Sequence, residues 1–168
     1  MSKIIFFEKS DITKSKAQII CHQVNCQGVM NSGVAKAIKD KWIMVYYMYK
    51  QLCNDGKGVP GTCQVIHIDS LTRNTHCDQY VANIFGQNKY GYDGKRYTNY
   101  EAVYSALEDL KKFIKIHKVV TEIAFPYKFG CDRGGGNWNI IFTMIEEVFK
   151  DLDITIEIHS LNNIEEKI

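Results

Sequence analysis

Proline is scarce in this 168-residue chain, which holds only Pro60 and Pro126, and glycine does not recur at a fixed period, so collagen-like and polyproline architectures are excluded. Neither sign of charge dominates. Lys and Arg total 21 against 19 Asp and Glu, and a formal charge of +2 provides no broad cationic field for gripping a nucleic-acid backbone. Any polyanion has to be met locally. No apolar run reaches the roughly 18 residues of a membrane span, and Ile4-Ile5-Phe6-Phe7 stops at Glu8, too soon for the core of a signal peptide. These absences lead us to expect a cytoplasmic protein without membrane contact. The six cysteines lack C-x-x-C spacing, and neither Cys21-His22 nor His76-Cys77 is part of an H-x-x-x-H pattern, so free thiols and no metal site are expected.

The chain is otherwise ordinary for a folded protein, with 45% hydrophobic and 24% charged residues. One domain over residues 1–168 is expected, with a charged tail from about residue 162 as the one segment left to disorder. Short runs rich in Ile and Val predict strands over Lys3 to Phe7, Gln18 to Asn25, Thr62 to Ile68, Gln79 to Phe85, Val120 to Phe125 and Ile154 to His159. Helical spacing of apolar residues predicts helices over Gly33 to Cys53, Asn99 to His117 and Trp138 to Leu152. Helices between apolar strands imply an α/β fold, a three-layer α/β/α sandwich with a mixed, largely parallel central sheet.

Two loops run from a predicted strand end into a helix and carry glycine. The first is Asn25 to Lys36, containing Asn31, Ser32, Gly33, Val34 and Ala35; the second is Phe129 to Trp138, containing Gly130, Cys131, Asp132, Arg133, Gly134, Gly135 and Gly136. Helix starts offer unpaired N–H groups and glycine admits a close backbone approach, so the pair is suited to clasping a diphosphate. Neither loop is a Walker A or G-x-G-x-x-G motif, which removes support for kinase-like or hydride-transfer chemistry. A third segment, Gly86 to Thr98, is long and irregular, as functional loops often are.

Four segments in order, Glu8-Lys9-Ser10-Asp11-Ile12-Thr13, Cys21-His22-Gln23-Val24-Asn25-Cys26-Gln27-Gly28, Ser32-Gly33-Val34-Ala35-Lys36 and Gly134 to Trp138, resemble a macro domain. The likeness is nearest to the small proteins of the terminal ADP-ribose glycohydrolase-like branch that process ADP-ribose 1″-phosphate. It implies a cleft for ADP-ribose, or for an ADP-ribosylated macromolecule, with no cofactor. Asp11 is then the acceptor of the adenine amino group, Ile12 lines the adenine pocket, His159 lies against adenine and Asn25 faces the distal ribose. Tyr90, Tyr92 and Tyr97 are candidates for a roof, and Lys36 is read as a solvated helix charge. Asn31 and Asp132 replace glycines usual in such proteins, and Asn137 replaces an aspartate. The nucleophilic lysine of that branch falls on Gln87, with Lys89 two residues on, and its catalytic acid falls on Gly134.

Two functions follow from the resemblance. One is a hydrolase that releases ADP-ribose from a modified protein or nucleic acid, or dephosphorylates ADP-ribose 1″-phosphate, with Asp132 as general base and Asn25, Lys89 or His22 assisting. The other is a non-catalytic reader of ADP-ribose. A thiol enzyme built on Cys26 or Cys131 needs a histidine base beside it and ranks below both. Nucleic acid enters only as a carrier of ADP-ribose, and a monomer is expected.

Overall fold

The computed structural model describes residues 1–68 and 78–165. His76 and Cys77 therefore lie outside the described residues. Six strands, β1 (Lys3–Phe7), β2 (Ile19–Val24), β3 (Cys63–His67), β4 (Tyr80–Phe85), β5 (Glu122–Pro126) and β6 (Thr155–His159), form one sheet in the order β1-β6-β5-β2-β4-β3. β3 is antiparallel to β4, and every other neighbouring pair is parallel. Four helices cover it: α1 (Gly33–Lys41), α2 (Ile43–Asn54), α3 (Tyr100–Ile116) and α4 (Trp138–Phe149).

Because successive side chains leave a strand on opposite faces, β2 feeds two separate cores. Ile19 and Cys21 pack with α3 and α4 around Leu107, Leu110, Ile141 and Phe149. Ile20 packs on the other face with Ile38, Trp42 and Val45 from the α1–α2 pair. The sheet is thus the middle of three layers, as its strand composition implies.

One expected helix is two. At Trp42 the backbone leaves the helical region (φ −131°, ψ 77°), so α1 ends and α2 begins without a proline or glycine. The break is made by tertiary contacts. Trp42 is buried beside Ile38, and Lys41 reaches the Thr13 carbonyl while lying over the Trp42 ring. The segment after Leu161, expected to be loose, is held as far as Ile164, which is buried and donates its N–H to Glu8 Oε1 at 2.9 Å.

A row of polar side chains crosses the sheet where apolar ones are the rule. His22, Asn83 and Gln64 are direct cross-strand partners on β2, β4 and β3. His22 Nε2 lies 2.5 Å from Asn83 Oδ1, and Asn83 Nδ2 donates to Gln64 Oε1 at 3.0 Å. Asn83 Oδ1 is an acceptor, so His22 carries its proton on Nε2. Burial pushes the His22 imidazole down to about 4 despite the Asn83 bond, which favours the charged form. The ring is therefore neutral in the folded protein at pH 7.

The linkage has a definite sign. Between about pH 6.5, the ordinary histidine value, and about pH 4, the unfolded chain binds a proton that the folded chain does not, so stability falls by up to roughly 3 kcal/mol as pH drops through that window. Urea unfolding at pH 7 and pH 4.5 should show this loss, and a smaller one in His22→Gln. Identical pH slopes in the two proteins would remove His22 from the account.

Candidate functional site

β2 and β5 lie side by side, but the chain after β2 enters α1 on one face of the sheet and the chain after β5 leads to α4 on the other. Divergence at neighbouring carboxyl ends leaves a crevice, the usual ligand position in open α/β sheets. Here it is a cleft of about 820 Å³. Of the residues expected to form the site, Asp11, Ile12, Asn25, Asn31, Ser32, Gly33, Val34, Ala35, Phe129, Gly130, Cys131, Asp132, Arg133, Gly134 and His159 line it. Lys89, Gly135 and Gly136 do not.

The first loop reaches the cleft as expected. Ser32 caps α1 without a side-chain bond, and among the described residues the N–H groups of Gly33, Val34 and Ala35, which line the cleft, meet no acceptor. Asn25 shapes this loop from below. Its Oδ1 accepts from Gln27 N (2.9 Å) and from the Tyr49 hydroxyl (2.8 Å), and its Nδ2 donates to Val29 O (2.8 Å). One Nδ2 hydrogen is left over, so Asn25 can offer a ribose a donor but not the acceptor also expected of it.

The second loop corrects the sequence reading. It does not present the start of α4 to the cleft, because Asn137 is a working cap whose side chain accepts from Asn139 N and Ile140 N. Asn137 lies outside the cleft, and its exchange for the usual aspartate leaves the cap in place. Loop donors come instead from the N–H groups of Asp132, Arg133 and Gly134, which bond to no acceptor among the described residues. Gly135 and Gly136 turn the chain through Gly135 N to Asp132 O (3.2 Å) and Gly136 N to Gly130 O (3.0 Å).

Sequence reasoning missed Gln23, which joins this loop to the irregular segment after β4. Gln87 Nε2 donates to the Lys89 carbonyl (2.8 Å), which makes Gln87 Oε1 the acceptor for Gln23 Nε2 (2.7 Å). Gln23 Nε2 also donates to Thr98 Oγ1 (2.8 Å), whose hydroxyl donates to the Gly130 carbonyl (2.6 Å). With its nitrogen so placed, Gln23 Oε1 is driven against Gly86 and Gly130, where an added Cβ would come within 2.4 and 2.7 Å of it. The available signal was a polar residue in an otherwise buried strand, two places before Asn25. Lys89 thus contributes its carbonyl and not its ammonium.

At the other end Asp11 both caps and lines. Its Oδ1 accepts from Thr13 N (2.9 Å) and Thr13 Oγ1 (2.8 Å), while Oδ2 makes no hydrogen bond among the described residues. Burial alone would raise the Asp11 carboxyl, but the Thr13 bonds and the charges of Lys14 and Lys41 hold it below its ordinary value. His159 is buried and locked, with Nδ1 2.8 Å from Ser10 Oγ and Nε2 2.6 Å from Glu157 Oε2, and its ring stacks on Phe7 at 4.8 Å.

The distal end is walled by Tyr90, Tyr92, Asp132 and Arg133. The Arg133 guanidinium sits 4.4 Å from the Tyr92 ring centroid and pairs with no carboxylate among the described residues, and Asp132 is an exposed acid on the cleft wall with no ion-pair partner among them. Tyr97 does not join the roof; its hydroxyl bonds to Asp93. Lys36 pairs with Asp40 on the exposed face of α1. Burial pushes the Cys26 thiol up to about 11 and Cys131 up to about 12, so neither supplies a thiolate at pH 7. Among the described residues no group of three His, Cys, Asp or Glu converges as metal ligands, and no helix is long and apolar enough to cross a membrane.

Gly130→Ala should cost roughly 1–3 kcal/mol, because Gly130 has φ +71° and its new Cβ would strike Gln23 Oε1. Gln23→Leu strands the Gln87 and Thr98 partners at a similar cost. Asn137→Ala removes only a cap, worth about 1 kcal/mol, and should leave ligand affinity unchanged. Chemical denaturation of the three variants, with limited proteolysis of residues 86–98, would separate these effects. A Gln23→Leu protein as stable and protease-resistant as the parent would show that the amide bridge holds nothing.

No protein-family model matches the sequence, and a search of curated proteins finds no match. Solved structures do match. The macrodomain of Mycobacterium tuberculosis DarG superposes with a TM-score of 0.80 at 19% identity, over 95% of this chain and 98% of its own. Thermosipho africanus DarTG in complex with ADP-ribose gives 0.78 at 20% identity, over 99% of this chain and 43% of the longer protein. A Bacteroides thetaiotaomicron protein of unknown function gives 0.77 at 26% identity, over 94% of this chain and 97% of its own. Superposition at TM-scores of 0.77 to 0.80 over nearly the whole chain shows that it has the macrodomain fold.

Proposed function

We propose that the cleft binds ADP-ribose and that the protein hydrolyses the bond joining its distal ribose to a modified macromolecule or to phosphate. The observation that carries this reading is the cleft itself, which sets the donor-rich start of α1 opposite the free N–H groups of Asp132 to Gly134, with the unoccupied Asp11 Oδ2 at one end. Two sets of backbone donors suit a diphosphate, and a free carboxylate oxygen suits the amino group of adenine. The Thermosipho africanus protein of the same fold holds ADP-ribose, which supports the assignment by analogy.

For the chemistry, Asp132 is the general base. It lines the cleft and has no ion-pair partner, so a water between it and the anomeric carbon can lose its proton to the carboxylate as the new C–O bond forms and the leaving group departs. A second reading, a reader without turnover, is favoured by Gln87, whose amide is held by Gln23 and Lys89 at the position where related enzymes use a lysine.

Calorimetry should give micromolar affinity for ADP-ribose, about −8 kcal/mol. Asp11→Ala should weaken it by roughly 1.5–3 kcal/mol, the scale of a hydrogen bond to a charged acceptor, and reduce discrimination between adenine and hypoxanthine analogues. Absence of binding at millimolar ligand would sink the proposal.

Incubation with ADP-ribosylated protein, ADP-ribosylated DNA and ADP-ribose 1″-phosphate, read by mass spectrometry, tests turnover. Asp132→Ala should slow it by about 10²- to 10⁴-fold while ADP-ribose affinity holds or rises, since removing a carboxylate near a diphosphate also removes repulsion. Binding without conversion of any of the three would decide for the reader.

A further inference from the structure

Tyr49 carries a polar group far from solvent. Its side chain is fully buried on α2, packed with Val24, Met30 and Phe85, and does not line the cleft. Burial raises the phenol far above its ordinary value, so the hydroxyl keeps its proton. That hydroxyl reaches the first loop. It lies 2.7 Å from the Asn25 carbonyl and 2.8 Å from Asn25 Oδ1, both acceptors that share its one proton, and it accepts from Val29 N at 3.1 Å.

An oxygen within reach of both the main-chain and the side-chain oxygen of one asparagine leaves that side chain few rotamers. Gln27 N and the Tyr49 hydroxyl occupy Oδ1, Val29 O takes one Nδ2 hydrogen at 2.8 Å, and the other Nδ2 hydrogen is what Asn25 has to offer the cleft that it lines. The next residues of α2 back the same loop, where a Cβ added to Gly28 would lie 3.5 Å from Lys50 Cγ and 3.8 Å from Cys53 Cβ. On its other side the loop is tied to the segment that walls the distal end, because Cys26 N donates to Asn88 O at 2.9 Å, two residues before Tyr90.

We propose that Tyr49 is a positioning residue for recognition of the distal ribose: from behind the cleft, its hydroxyl holds Asn25 as a donor to a ribose oxygen. The inference rests on the ADP-ribose reading, which lays adenine at Asp11 and so carries the far sugar toward the end where Asn25 adjoins the Tyr90 segment. It adds a requirement which that reading lacks, namely that the ligand atom at Asn25 accepts a hydrogen bond.

The test titrates ADP-ribose, and ADP, which lacks the distal ribose, into the parent, Tyr49→Phe, Asn25→Ala and the double variant by calorimetry. Tyr49→Phe keeps the ring and deletes the hydroxyl. It should weaken ADP-ribose binding about five- to tenfold, the scale of one hydrogen bond, while ADP stays within about twofold of the parent. Added to Asn25→Ala it should cost no further affinity, because the two changes remove one contact. A second readout needs no variant: in the parent, ADP-ribose but not ADP should shift the nuclear magnetic resonance signals of the Asn25 side-chain amide. Undiminished ADP-ribose affinity in Tyr49→Phe, equal weakening of both ligands, additive losses in the double variant or an unmoved Asn25 signal overturns the positioning role alone. Failure of ADP-ribose to bind the parent overturns the ADP-ribose reading and the role with it.

Discussion

Gln23, next to last in β2, directs its amide nitrogen onto Gln87 and Thr98, and the cleft takes its shape from these partners. Its oxygen is buried with no partner among the described residues, and leaving the nitrogen unmet as well would cost on the order of 1–3 kcal/mol, which favours a chain that delivers the Gln87 amide oxygen and the Thr98 hydroxyl to it. Gln87 and Thr98 come from the two ends of the loop after β4, which are paired across an isolated bridge. Thr98 passes the constraint on to Gly130 and so to the second loop. Tyr97 N and Thr98 N reinforce it through the Gly134 carbonyl at 2.8 and 2.9 Å. One side chain on β2 thereby sets the spacing between a roof loop and a loop rich in backbone donors.

The same economy operates at the Asp11–His159 end of the cleft, where one carboxylate both caps a turn and lines the cavity. Asp11 uses one carboxylate oxygen to start a short 3-10 turn at Ile12–Lys14 and keeps the other without a partner among the described residues, so the turn orients an oxygen that lines the cleft. His159 has both ring nitrogens occupied, and only its faces remain available, one of them covered by Phe7. A ring that cannot rotate or slide is a better stacking surface than a free one, because less rotamer entropy is lost when a base is laid on it.

What could be read from residues alone divides along physical lines. Strand and helix positions followed from apolar periodicity because burial on one or both faces enforces it, and the boundaries of β1 and of the start of α4 fell where the pattern put them. The break at Trp42 left no local mark, since the cause is the packing of Trp42 and the reach of Lys41 to Thr13, residues far apart in the chain. Asp11, Gly33 and Gly134 were legible because their motifs are short and contiguous. Gln23, Gln87 and Thr98 form a network separated by up to 75 positions, and no spacing rule brings such residues together before the sheet does.

Electrostatics at the distal end then bears on the choice between turnover and mere binding. In the proposed reading the Asp132 carboxylate faces the region where a diphosphate would lie, and the Arg133 guanidinium, placed over Tyr92, would not relieve the repulsion between them. For a reader this arrangement only weakens binding, and a neutral side chain would serve better. For a hydrolase the same unpaired acid is available to take a proton from water, and repulsion toward the product helps it leave. In the reading proposed above, Gln87 offers no amine for an adduct while Asp132 still offers a base, so the two residues together are compatible with attack by water.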